Sequence, residues 1–190
     1  ALSGESEIVA IGETGLDRHW DFSPFPLQQD YFDRHLRLAA ETGLPFIVHT
    51  RESDQDVLEM LRDARRRGPL RGVMHSFTGS EATAEECVEL GLYISFAGMV
   101  TFKKADDLRA VACQIPPERI LIETDSPYLA PHPLRSRRNE PAYVVHTAEC
   151  LAIERGVPFE DFCRITSQNA KQLFQLGEGT SDHPSGKHGG

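Results

Sequence analysis

The sequence predicts an α/β fold built on a parallel sheet. Short apolar runs alternate with longer amphipathic ones five times over, which implies right-handed strand–helix–strand units. The short runs are apolar almost throughout, as strands covered on both faces must be. Histidine and carboxylate residues cluster just after those runs.

The elements follow in order. A first strand is expected over residues 8–11, followed by a polar loop from Gly12 through Glu13 to Asp17. A helix over about 27–41 carries Phe32, Leu36 and Ala39 on one face, with Gly43 as its stop. The second strand covers 45–49. The helix at 54–67 has Ser53 as its expected cap, with Asp56 three residues on, and Val57, Leu58, Leu61 and Ala64 as its apolar stripe. The third strand (72–75) leads to a helix at 80–90, and the fourth (92–96) to one at 105–113 that ends before Pro116-Pro117. A fifth strand at 119–122 precedes two helices, at 141–155 and 158–174. The Gly- and Ser-rich stretch 177–190 is expected to be a disordered tail, leaving 1–176 as a single domain.

Composition narrows the functional classes. The 190 residues carry 20 Lys and Arg against 29 Asp and Glu, a formal charge of -9. That balance opposes broad electrostatic binding to nucleic acid or an anionic membrane, though it allows a local basic rim. No apolar run approaches the ~18 residues of a membrane helix. The start lacks the basic and apolar regions of a signal peptide, so a cytoplasmic location is expected. Cys87, Cys113, Cys150 and Cys163 show no C-x-x-C spacing and read as buried, reduced thiols.

In parallel α/β folds the carboxyl ends of the strands converge on one face. Glu13, His49, His75 and Asp125, far apart in sequence, each follow a strand and should therefore meet. A lone histidine there is commonly structural, but two imidazoles with two carboxylates suit a divalent metal. Glu123 and Asp125 are expected on opposite sides of their strand, so that one of them, Asp125, is favoured as the ligand. Arg51 suits either a phosphate clamp or a salt bridge to a neighbouring loop. Asp17 either supports a ligand or shapes a turn. Arg135, Arg137, Arg138 and Asn139 sit on a proline-stiffened loop that suits an anionic phosphate chain, or is simply solvated. Arg62, Arg65, Arg66, Arg67 and Arg71 read as structural, at a helix C-terminus where cations suit the dipole. Trp20, Phe22 and Phe25 either wall a cleft or pack inward. His19, His35, His132 and His146 carry no pattern, and His183 and His188 are expected in solvent.

The segments IGETGLD (11–17), PFIVHTRES (45–53), GVMHSFTG (72–79), ISFAG (94–98), ILIETDSPYLAP (120–131) and RNEPAYV (138–144) resemble the TatD family of metal-dependent deoxyribonucleases, within the amidohydrolase-like barrels. The resemblance runs from Glu7 to Phe174. It implies a TIM-type barrel and a two-metal hydrolytic site of Mg, Mn or Zn that cleaves phosphodiester bonds with metal-activated water. Carried over, Glu13 would bridge the ions, His49 and His75 would complete one ion's shell, and Asp125 would bind the other and accept the proton. Arg51, Glu123, Asn139 and Arg137 would contact substrate or support the ligands. The implied partner is DNA, taken as short stretches at 3' or 5' ends.

One departure matters. The family's first strand ends in His-x-His, and no His-x-His occurs here. Five strands are found where a barrel needs eight, and the chain is shorter than the ~250 residues typical of one. An N-terminally truncated barrel is therefore expected, with one ion site keeping Glu13, His49 and His75. The alternatives are a related hydrolase of a small ester, amide or D-aminoacyl-tRNA, and an inactive, non-enzymatic fragment.

Overall fold

A computed structural model describes residues 8–176. The first seven residues and the stretch 177–190, with His183 and His188, lie outside them.

Strands and helices alternate along the chain. β1 (Ile11–Asp17) leads to α1 (Phe25–Thr42), β2 (Phe46–Arg51) to α2 (Asp54–Arg67), and β3 (Gly72–Met74) to α3 (Glu81–Glu89). β4 (Tyr93–Phe96) runs through a 3-10 turn at Gly98–Thr101 into α4 (Asp106–Gln114), and β5 (Ile120–Ile122) leads by a long loop to α5 (Val144–Glu154) and α6 (Phe159–Phe174). The strands pair in parallel in the order β1-β2-β3-β4-β5. The sheet is open: among the described residues β1 and β5 are its edges.

The two-residue period of a strand sorts the side chains into layers. One face of the sheet sends Phe46, Val48, Met74, Ile94, Phe96 and Ile120 into the main core, against the apolar stripes of the helices. Val57, Leu58 and Leu61 of α2 are fully buried there, each contributing roughly 1.5–3 kcal/mol of burial. On the other face, Val73, Tyr93 and Leu121 form a second cluster, joined by Ile47 and covered by Leu173 and Phe174 at the end of α6. Two residues further along the same face come His49, His75 and Glu123. An apolar floor therefore lies under a polar rim at the carboxyl ends of the strands.

Several expectations are corrected by a residue or more. β1 runs from Ile11 through Asp17, so Glu13 lies within a strand and not in a loop after it. Glycines at 12 and 15 and two polar residues hide this strand from an apolar-run criterion, yet Thr14 and Leu16 point to the helices and are buried. Ser53 makes no side-chain cap on α2; its buried hydroxyl donates to the Leu16 carbonyl at 2.7 Å, joining α2 to β1. Ser80 does cap α3, accepting from the Thr83 backbone N–H at 3.2 Å. The four cysteines are free thiols, but only Cys87 is buried and Cys113 is exposed. Arg62, Arg66 and Arg67 pair with Glu86, Asp63 and Asp33, and Arg71 donates to the final carbonyls of α6. Those four arginines of the basic cluster thus make contacts within the fold; Arg65, the fifth, is exposed in the last turn of α2.

Candidate metal centre

The rim is built by four strands. The backbone of His75 donates to the Val48 carbonyl (2.9 Å) and that of Glu123 to the Phe96 carbonyl (3.0 Å), so ladder bonds hold both residues just beyond their strands. His49 is within β2, opposite Gly15 of β1. A Cβ at position 15 would overlap the His49 carbonyl, so only glycine lets β1 approach this closely. Glu13 comes from β1 itself.

These positions bring the predicted ligands together. Glu13, His49 and His75 each offer an atom lying within 4.8 Å of the others. Glu13 Oε1 is 2.8 Å from His49 Nδ1 and 3.8 Å from His75 Nε2. Asp125 Oδ1 is 3.8 Å from the same His75 Nε2. Asp125 reaches the cluster with a left-handed backbone, φ 56°, and Ser76 directly after His75 has φ 45°. Each such non-glycine residue costs of order 1–3 kcal/mol, an expense that clusters at functional sites.

Both imidazoles are held from behind by a carboxylate. Asp17 Oδ2 lies 3.1 Å from His49 Nε2, while Asp17 Oδ1 accepts the backbone N–H groups of His19 and Trp20. Asp17 thus supports a histidine and shapes a turn at once. Glu123 Oε1, which is buried and accepts no well-directed hydrogen bond, lies 2.6 Å from His75 Nδ1. Glu123 and Asp125 therefore meet the same ring from its two nitrogens. This corrects the expected placement on opposite sides: residues two apart in a strand share a face, and β5 ends at Ile122 before either.

The electrostatics follow from these contacts. The hydrogen bond with His49 holds the Glu13 carboxyl below its ordinary range against the opposing effect of burial. The same bond raises His49. For His75, burial disfavours the charged ring, but the Glu123 contact and the charges of Glu123, Glu13 and Asp125 outweigh it and the net direction is up. Burial, aided by the charges of Glu123 and Glu13, pushes Asp125 up. Such a group of acidic side chains, each raising its neighbours' affinity for positive charge, is chemically suited to a divalent cation.

The remaining predicted residues sit further out. Asn139 is 3% exposed; its amide donates to the Thr124 and Tyr128 carbonyls (2.6 and 2.5 Å) and its oxygen accepts from Glu140 N–H. It binds the loop around Asp125 into shape. Arg51 is exposed at the end of β2, with its guanidinium 5.7 Å from the Trp20 ring centroid. Arg137 is exposed on the loop after β5, and no contact ties it to the histidines. Arg135 lies over the Phe102 ring. Thr14 Oγ1 and His35 Nδ1, 2.8 Å apart, link β1 to α1. Their signal was available: His35 lies three residues after buried Phe32 on α1, on the helix face turned to the sheet. A cleft of about 360 Å³ runs along β1, lined by Glu13, Thr14, Asp17, Tyr31 and His49 among others.

Comparison with known proteins agrees with this arrangement. Residues 1–175 match the model of the family described as TatD related DNase. The chain is 46% identical over 175 residues to the uncharacterized metal-dependent hydrolase YabD of Bacillus subtilis, covering 92% of this chain and 68% of that protein. It is 39% identical over 181 residues to the 3'-5' ssDNA/RNA exonuclease TatD of Salmonella typhimurium, covering 93% and 69%. The crystal structure of YJJV, a TatD homologue from Escherichia coli, superposes with a TM-score of 0.83 at 31% identity, over 90% of this chain and 66% of that one. The chain thus spans about two thirds of the length of these relatives, and its sheet is five strands of a TIM-type barrel.

Proposed function

The chain belongs to the TatD-related DNase family, and from that premise we propose that it acts as a metal-dependent phosphodiesterase on short single-stranded DNA. The observation that carries this reading is the convergence of Glu13, His49 and His75, with Asp125 facing the same imidazole. The name of the Salmonella relative supports a nucleic-acid substrate.

The residues fit a divalent ion of the Mg, Mn or Zn class. Glu13, His49 and His75 would hold it, with Asp125, which shares the inward nitrogen of His75 with Glu13, as the further carboxylate beside them. The ion, when bound, supplies Lewis acidity that makes water more acidic and offsets charge on the phosphodiester. The chain's own groups do the rest. Asp17 and Glu123 fix the two rings by their far nitrogens, so that the near nitrogens point inward. Asp125, raised by burial and by its acidic neighbours, accepts and holds the proton that an attacking water gives up. Arg51 offers a guanidinium that is in no ion pair among the described residues, which suits it to hold a phosphate. Asn139 keeps the Asp125 loop in position.

Elemental analysis of purified protein beside Glu13→Ala tests the reading. Bound transition metal in the wild type, lost in the variant and accompanied by release of nucleotides from a short oligonucleotide, supports it. A wild type without metal under loading conditions would overturn it.

A further inference from the structure

We infer that Trp20 and Phe22, with Arg51, form a stacking platform for one unpaired nucleobase beside the metal centre. This deepens the nucleic-acid reading above and rests on it.

The two rings are stacked, with centroids 5.4 Å apart and planes 9° from parallel, and His19 packs perpendicular to Trp20 with centroids 4.8 Å apart. Yet they are not core: Phe22 is 84% exposed and Trp20 48%. An ordered pair of exposed aromatic rings presents a flat, apolar face to solvent, the shape and chemistry that a base covers. The pair does not hang on a loose loop. Asp17 Oδ1 accepts the backbone N–H of Trp20 at 3.0 Å and of His19 at 2.8 Å, while the other oxygen of the same carboxylate supports His49. The platform and the candidate metal ligand are therefore fastened to one carboxyl group.

The neighbouring charges complete the arrangement. Arg18 is spent on Asp56 in a two-bond pair and His19 on Glu52. Arg51 is left in no hydrogen bond or ion pair through its side chain among the described residues; its guanidinium lies over the Trp20 ring, 5.7 Å from the centroid, so that the open face of the stack is that of Phe22. A base on the rings would put its own phosphate within the reach of that cation. Paired bases have their faces covered by their neighbours, so the platform selects single strands. With a net charge of -9, the chain has little general attraction for a phosphate backbone, and stacking must supply much of the hold.

Trp20 is the chain's one tryptophan, so its fluorescence reports on the platform directly. Titration with a (dT)6 oligonucleotide in EDTA, where no strand is cut, should quench that emission, while a six-unit abasic phosphate chain should not. By anisotropy of a labelled (dT)6, Phe22→Ala and Trp20→Ala should each weaken binding about tenfold, and Trp20→Phe should restore most of it. Metal content, read in parallel, should be the same in all variants. Binding of (dT)6 without quenching, or equal affinity for the abasic chain, would overturn the platform while leaving the nuclease reading intact. Trp20 emission already blue-shifted and shielded from iodide would also overturn it, by showing that protein covers the rings. Quenching by (dT)6 together with no cleavage in metal would uphold the platform and sink the nuclease reading instead.

Discussion

Two carboxylates hold the histidines of the candidate metal centre from behind. Asp17 and Glu123 hold the histidines by the ring nitrogens turned away from the centre. Removing such support typically costs 10–100-fold in metal affinity. Asp17→Asn and Glu123→Gln should each weaken Mn or Zn binding by roughly that factor in calorimetric titration, while circular dichroism stays native. An unchanged dissociation constant would remove them from the account. Gly15 matters for a different reason. A side chain there meets the His49 carbonyl across the β1–β2 pair, so Gly15→Ala should cost on the order of 3 kcal/mol in urea unfolding and displace a candidate metal ligand as well.

At the scale of elements, short strands and their caps decide where the ligands sit. β3 and β5 are three residues each, so the residues that follow them depend on single ladder bonds and on loops held by side chains. Asn139 is the clearest case, since its amide ties Thr124 and Tyr128 together around Asp125. Asn139→Ala leaves two backbone carbonyls short of a donor and should cost about 2 kcal/mol by denaturant titration. It should also lower the activity of the metal-loaded protein, because Asp125 loses its frame. Ser80 is a control for this logic, as its hydroxyl caps α3 and makes no contact with Glu13, His49, His75 or Asp125. Ser80→Ala should cost about 1 kcal/mol and leave metal binding alone.

For the molecule as a whole, the site stores its consequences in pH dependence. His49 is raised above its ordinary 6.5 mainly by Glu13, and His75 is raised despite burial by Glu123 and its acidic neighbours. A raised folded-state pKa stabilises fully below about 6.5, and that contribution disappears as pH climbs through the raised value. Glu13, lowered from 4.5 by its bond to His49, works in the other direction: its contribution is present above 4.5 and lost as pH falls. Asp125, raised by burial, opposes the fold where it is ionised. The metal-free protein should therefore melt highest between about pH 4.5 and 6.5, with Tm declining above that as the two rings lose their protons. An ion needs neutral rings, so the Tm gained on adding metal should grow over the same rise in pH. Scanning calorimetry with and without EDTA checks both slopes, and parallel slopes would show that the histidines are not the coupling groups. The open edges at β1 and β5 belong to this scale too, since unpaired strand edges invite pairing with further chain.

The alternation of apolar runs and amphipathic stripes was enough to read a parallel α/β sheet and its helices, because burial of each face leaves a periodic trace in the chain. Stripes such as Val57, Leu58, Leu61 and Ala64 occur as read. The convergence of Glu13, His49, His75 and Asp125 was legible as well, since parallel strands send their carboxyl ends to one rim. Three things were not. β1 lacks an apolar run because glycine and polar side chains serve its close approach to β2, so its extent emerged only from pairing. The meeting of Glu123 and Asp125 on one imidazole depends on a left-handed turn at Asp125, which no composition signals. The link from Asp17 to both His49 and the Trp20 loop spans residues 32 apart in sequence. Periodicity records which way a side chain faces; only the packed chain decides which distant group it finds there.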